Sequence, residues 1–464
     1  MMTNYLKTTS LLVGLLLAAQ QALSAQTGID ARRDSVLSRI TGAAVPLPLI
    51  SITQFGARGD SATDCRPAVM KAMRKASKMG GARIVVPGPG VYLLKGPIEF
   101  LSNVCLDIRQ GATLKFVPEP RYYLPMVETS WEGTLLWNYS PFIYGHGLHD
   151  VSIMGSGTID GDAGQTFARW QGSQTASQNL TRQYNHDGTP LAQRQFGEGH
   201  KLRPQLIQFF RCERITISDV LIRRAPFWCL HLLQSRNAVL RGLRYDAKLV
   251  NNDGIDIESS QDVLIDDVHF DNGDDNIAIK SGRDRDGREL CPPSTGIVVR
   301  NCHFKGLHGV VIGSEMSAGV ENVFVEQCDS YGYCKRGIFV KTNPDRGGYV
   351  RHVYVRNVAF GDVLDLFYVT SMYAGQGLDN HYYSDISDIY VDGLTADCVT
   401  GTALVLQGTE ARPLRRVSFS HVSVPQVAHG LSFEHTEPVM LDHCFLGPKV
   451  GVPSLASGMN INNK

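Results

Sequence analysis

The chain has 464 residues, with 45 Lys and Arg against 45 Asp and Glu, so its formal charge is zero and its pI is about 7.2. That balance argues against nucleic acid as a partner, and an anionic ligand would have to be held by local basic groups. Ten cysteines in a chain this long do not make a disulfide framework, and no CxxC or His/Cys cluster has zinc spacing.

Residues 1–25 read as a secretory signal peptide. Lys7 precedes an apolar run from Leu11 to Ala19, and the small residues Ala22, Ser24 and Ala25 follow, so cleavage is expected near Ser24 or Ala25. The run is too short to span a membrane, so a secreted or periplasmic protein without a membrane anchor is expected. Residues 26–48 look like an irregular lead. A helix is predicted after Asp64, which can cap it, with Pro67 in its first turn and Gly80-Gly81 at its end. Val69, Met70, Met73 and Ala76 form its apolar stripe, suited to plugging an open end of a larger fold.

ARIVVPGPGVYLL and NVCLDIRQGATLKF then read as strand pairs. Residues 119–147 and 163–203 break the rhythm and carry Tyr122, Tyr123, Trp131, Trp137, Tyr139 and Trp170. They are expected to wall a cleft, with aromatic faces either offered to sugar rings or packed onto the scaffold. Regular strands are expected over residues 204–446, and the last twenty residues are expected to fray. Residues 26–464 therefore read as one body with no linker.

The strands repeat. RITISDVLI, NAVLRGLRY, DVLIDDVHF, GIVVRNCHF, NVFVEQCDS, HVYVRNVAF, DIYVDGLTA and RVSFSHVSV align, with Val220, Leu243, Val268, Cys302, Cys328, Val358, Leu394 and Val422 at one position. The period is ragged, and the apolar residues alternate with period two. Such a pattern excludes helical repeats and predicts an all-β fold, a single right-handed parallel β-helix solenoid with an N-terminal capping helix. Cys302 and Cys328 would be stacked core thiols.

Chemistry gathers between residues 251 and 341. Asp253, Asp274, Asp275, His308 and Lys341 recur at 21 or 22, 33 and 33 residues, close to one coil each, so one face can collect them. Paired carboxylates suit glycosidic bond hydrolysis: one must be a protonated acid and another an ionised base. Adjacent Asp274 and Asp275 repel when both are charged, which keeps a proton available. Taken singly, each of these residues reads more readily as an ordinary turn or surface residue, but three acidic sites one coil apart, followed by a histidine at the next coil, reverse that reading. The same acidic cluster also suits calcium ligation in a pectate lyase, or the lining of a non-catalytic glycan-binding β-helix.

The blocks NND (251–253), GDD (273–275), GLHGVVIGSE (306–315) and RGIFVKT (336–342), followed by RGG (346–348), occur in order. In these blocks the chain resembles glycoside hydrolase family 28, the polygalacturonases and related pectin hydrolases. The resemblance implies an inverting hydrolase of α-linked galacturonic acid in pectin, acting as a monomer without metal or cofactor. It implies Asp274 as general acid, Asp253 and Asp275 as the groups that activate water, and His308 in support. Lys341 would bind a galacturonate carboxylate. Asn252 stands where the family usually has Thr, and Phe339 stands where it has an Arg that grips the substrate carboxylate. A Phe cannot make that bidentate bond. Either Arg336 or Arg346 takes over, or the neighbouring sugar is neutral, as rhamnose would be. Arg283, Arg285, Arg288, Lys335 and Arg351 add to the basic character of the region, and the long inserts favour exo over endo action.

Overall fold

A computed structural model describes residues 27–46, 48–374, 378–448 and 460–461. The expected signal peptide and most of the last twenty residues, expected to fray, lie outside the described residues. The chain winds into a parallel β-helix whose coils stack in register. The site-bearing face is built from β1 (Ile143–His146), β2 (Ile207–Phe210), β3 (Leu230–Leu233), β4 (Ile255–Glu258), β5 (Asp275–Lys280), β6 (His308–Gly313) and β7 (Cys334–Lys341). Each pairs in parallel with the next. The ladder continues into β8 (Tyr349–Thr370) and β9 (Asp385–Gln407).

Alternation fills the interior. Ile143, Ile207, Leu230, Ile255, Ile277, Val310, Ile338 and Phe367 share one register position and are all buried. Each such rung stabilises the fold by about 1.5–3 kcal/mol through lost apolar hydration. Cys302 and Cys328 stack in this interior as free thiols, the Cys302 amide pointing to Cys328 Sγ at 3.5 Å.

Helix α2 (Arg66–Lys78) buries Val69, Met70, Met73 and Ala76 as the stripe predicts. Its cap falls one residue later than predicted, at Cys65, while Asp64 Oδ1 accepts from the Arg66 amide at 3.0 Å. The expected irregular lead is instead a helix, α1 (27–39), lying across the outside of the coils. Val36 joins Leu264, Val298, Phe324 and Tyr354, which belong to four successive coils. Arg39 pairs with Asp262, Arg33 with Glu326 and Asp30 with Arg356. Periodicity missed α1 because its apolar contacts are few and its polar ones are long-range.

The two inserts are ordered. Val127–Trp131 and Thr134–Asn138 form an antiparallel hairpin, and Gln195–Phe196 adds a third strand. Residues 175–187 form α3 (Thr175–Asp187). Tyr123, Trp131 and Tyr139 are buried, so their rings pack the inserts onto the scaffold and are not faces for sugars.

Candidate active site

Strand register assembles the acidic cluster. Asp275 is the register partner of His308, and His308 of Arg336. Asp253 stands two residues before Ile255, as Asp275 stands two before Ile277, its partner. Lys341 sits further along β7, opposite Gly313, and reaches back to the cluster with its long side chain.

Asp275 is held from both sides. His308 Nδ1 donates to Oδ1 at 2.6 Å, and Lys341 Nζ donates to Oδ2 at 3.0 Å. Burial opposes its charge, but the Lys341 ammonium and the His308 hydrogen bond outweigh burial and hold the carboxyl below its ordinary range. Asp274 behaves oppositely. Burial, and then the Asp275 charge, push its carboxyl up, against Lys341, His308 and a hydrogen bond from Asn251 Nδ2 to Oδ2 at 3.1 Å. Asp253 is pushed well up by burial and by Asp256, Asp274 and Asp275, and its Oδ1 has no hydrogen-bond partner among the described residues. Lys341 keeps its charge because Asp275 more than offsets its burial. The site thus holds one firmly ionised carboxylate beside carboxyls pushed towards their protonated forms.

These groups open into a pocket of about 170 Å³, with Phe227, Trp228, Lys280, Glu315 and Tyr373 around them and Glu132 and Gln178 at one end. That end is closed by the hairpin. Thr129 Oγ1 donates to Gln208 Oε1 at 2.8 Å, and Ser130 Oγ reaches Glu258 at 3.2 and 3.3 Å. Trp131 stacks on Phe227 with centroids 5.4 Å apart. The outward side chains of β2, β3 and β4, Gln208, His231 and Glu258, are therefore completely covered. Gly133, at the tip with φ +80°, lies so close to Arg283 that a Cβ would stand 2.8 Å from the Arg283 backbone nitrogen. Gln178 of α3 donates to both Glu132 oxygens at 3.1 and 2.9 Å, which locks the tip.

Asp274, Asp275 and His308 offer ligand atoms within 4.8 Å of one another, a spacing that could suit a cation. Both Asp275 oxygens are already engaged, one by an ammonium, so the donor set fits a divalent ion poorly.

The family profile described as Glycosyl hydrolases family 28 matches residues 99–436. The chain belongs to this family. It is an O-glycosyl hydrolase on a right-handed parallel β-helix. A hyperthermoactive exopolygalacturonase from Thermotoga maritima superposes with a TM-score of 0.83 at 33% identity, over 89% of this chain and 96% of that one. A probable polygalacturonase of Vitis vinifera is 28% identical over 431 residues, 89% of this chain and 82% of its own. An exo-poly-alpha-D-galacturonosidase of Dickeya chrysanthemi is 27% identical over 411 residues, 82% of this chain and 65% of its own.

In this family 28 hydrolase, Phe339 is buried. Its ring meets His308 edge-on at 5.3 Å and Tyr368 at 5.4 Å, so it packs the histidine in place. Arg336 lies between the rings of Phe339 and Tyr368, at 4.6 and 4.2 Å, and donates to Asp365 at 3.1 Å. Arg346 is buried and donates to the Ser314 carbonyl at 2.9 Å and to Asp284 at 2.6 Å. Neither guanidinium lines the pocket, so the expectation that one replaces the missing arginine by direct contact does not fit this geometry.

Lys280 does line it. Its Nζ lies 3.3 Å from Glu315, 3.8 Å from Asp256 and 4.8 Å from the Trp228 ring centroid, all loose contacts. Sequence reasoning left Lys280 undecided and missed Asp256, Phe227, Trp228 and Glu315. The signal was present in β4, where Asp256 and Glu258 occupy both outward positions of a buried strand.

Proposed function

We propose that this hydrolase removes terminal α-linked galacturonic acid from pectic chains, acting from the chain end with inversion, outside the cytoplasm. The observation that carries the reading is the closed end of the cleft: a polymer cannot run past the hairpin over Gln208, His231 and Glu258. The relatives named exopolygalacturonase and exo-poly-alpha-D-galacturonosidase support the same reading, and the leader in the sequence supports export.

Asp274, whose surroundings push it towards the protonated form, gives its proton to the glycosidic oxygen as the bond to the anomeric carbon breaks. Asp275 takes a proton from water, which attacks the same carbon from the other face. Both Asp275 oxygens are hydrogen-bonded, which makes the group a poor nucleophile but leaves lone pairs to accept a proton. This favours inversion over a covalent intermediate. Asp253 holds the same water. His308 fixes Asp275. Lys341 spends one donor on Asp275 and, with Lys280, offers the rest to the substrate carboxylate. Pectic polysaccharide or its oligomers are the partners.

The test is product analysis by mass spectrometry in heavy-oxygen water, with polygalacturonate and rhamnogalacturonan oligosaccharides in parallel. Monomeric galacturonic acid carrying one heavy oxygen should come first. Mid-length oligosaccharides as the earliest products would refute the exo reading.

A further inference from the structure

We propose that Arg203 is a positioning residue for Asp274, acting through the side chain of Asn251 and fixing which Asp274 oxygen carries the proton. The inference rests on Asp274 being the general acid.

Arg203 belongs to the second insert and is fully buried. Its Nε donates to Gln174 Oε1 at 3.0 Å, its Nη1 to the Val250 carbonyl at 3.1 Å and its Nη2 to Asn251 Oδ1 at 2.7 Å. The guanidinium lies 4.7 Å from the Phe227 ring centroid, on the pocket wall. Burial lowers its pKa to about 10, so it remains a cation at neutral pH.

A guanidinium can only donate. Arg203 therefore fixes the Asn251 amide with its oxygen inward and its NH2 group outward, towards Asp274. That NH2 group donates to Asp274 Oδ2 at 3.1 Å. An oxygen receiving such a bond is favoured as the carbonyl oxygen of a protonated carboxyl, because a hydroxyl oxygen is the weaker acceptor. The proton then resides on Oδ1, which has no hydrogen-bond partner among the described residues and belongs to a side chain that lines the pocket. Asn251 itself sits at φ 53°, a left-handed turn that the bond from Arg203 to Val250 clamps. The cation at the end of this relay also keeps the acid from becoming too weak, by favouring its ionised form once the proton has left.

The test is the pH profile of kcat/KM for Arg203→Met, Asn251→Ala and the double variant. Loss of the cation should raise the pKa of Asp274, moving the high-pH limb up by about one unit. It should lower kcat on the order of tenfold or more, with KM nearly unchanged. In the Asn251→Ala background the same substitution should still move the limb but add little further loss of kcat. A kcat loss with the limb unmoved, or full additivity, would overturn the proposal. Should Arg203→Met fail to fold, Arg203→Lys keeps the charge but loses the fork: kcat should fall with the limb in place, and an unchanged kcat, or a loss fully additive with Asn251→Ala, overturns the proposal equally. An aryl α-galacturonide with a nitrophenol leaving group needs no proton. If Asp274→Asn is as inactive on it as on the natural linkage, the assignment of the acid fails on its own, whatever Arg203 does.

Discussion

Replacing Lys341 by Met removes a buried ammonium 3.0 Å from Asp275 Oδ2 and leaves His308 as the carboxylate's remaining support. Two unit charges about 4 Å apart interact by about 4 kcal/mol at an effective dielectric of 20. One pKa unit corresponds to about 1.36 kcal/mol, so the low-pH limb should move up by about three pH units. The sign follows from the role. Asp275 must be ionised to accept a proton from water, its native pKa lies below the ordinary 3.8, and losing the ammonium raises it. The native profile should hold its activity far into acid, while the variant should lose activity several units earlier. The assay is kcat/KM from pH 3 to 9 on a galacturonide oligomer, with circular dichroism at each pH to confirm the fold. A variant that loses activity uniformly with its low-pH limb in place would refute the reasoning and confine Lys341 to substrate binding.

Asp274→Asn should lower kcat/KM by about 10²- to 10⁴-fold on natural linkages, the usual range for a lost general acid, as read from initial rates. Gly133→Val places a branched side chain against Arg283 at a left-handed turn, so the hairpin tip should lift. Product chromatography should then show oligosaccharides beside the monomer, and an unchanged monomer-only pattern would contradict the blocking role. Asp256 is pushed well above 3.8 by burial, and neither of its oxygens has a hydrogen-bond partner among the described residues. The folded state therefore binds more protons than the unfolded one above pH 4, and Asp256 makes stability fall as pH rises from there towards its native pKa. Asp256→Asn should remove that part of the decline, visible as a flatter melting temperature between pH 4 and 7.

The coil spacing made much of this molecule readable. A period-two pattern recurring at each coil gave the strands, and spacings near one coil placed Asp253, Asp275 and His308 along one ladder. Lys341 joined them by side-chain length despite standing in another row. What stayed hidden depends on contacts that no period encodes. Ser130 meets Glu258 across 128 residues of chain, and nothing local in the hairpin announces it. The aromatic residues of the inserts were visible, but whether they face sugar or scaffold is decided by packing. Phe339 reads in sequence as a lost carboxylate clamp, yet in the fold it is a wedge under His308.

Helix α1 bears on how the molecule comes apart. In a solenoid each coil touches only its neighbours, so unravelling can begin at an end and travel coil by coil. Residues 30–42 contact side chains from Asn237, through Asp262, Asn322 and Glu326, to Arg356. Coils that share no border are thereby joined through a common splint. The central coils, which hold the acidic cluster, should then melt as one cooperative unit, with fraying confined to the turns beyond the splint's reach.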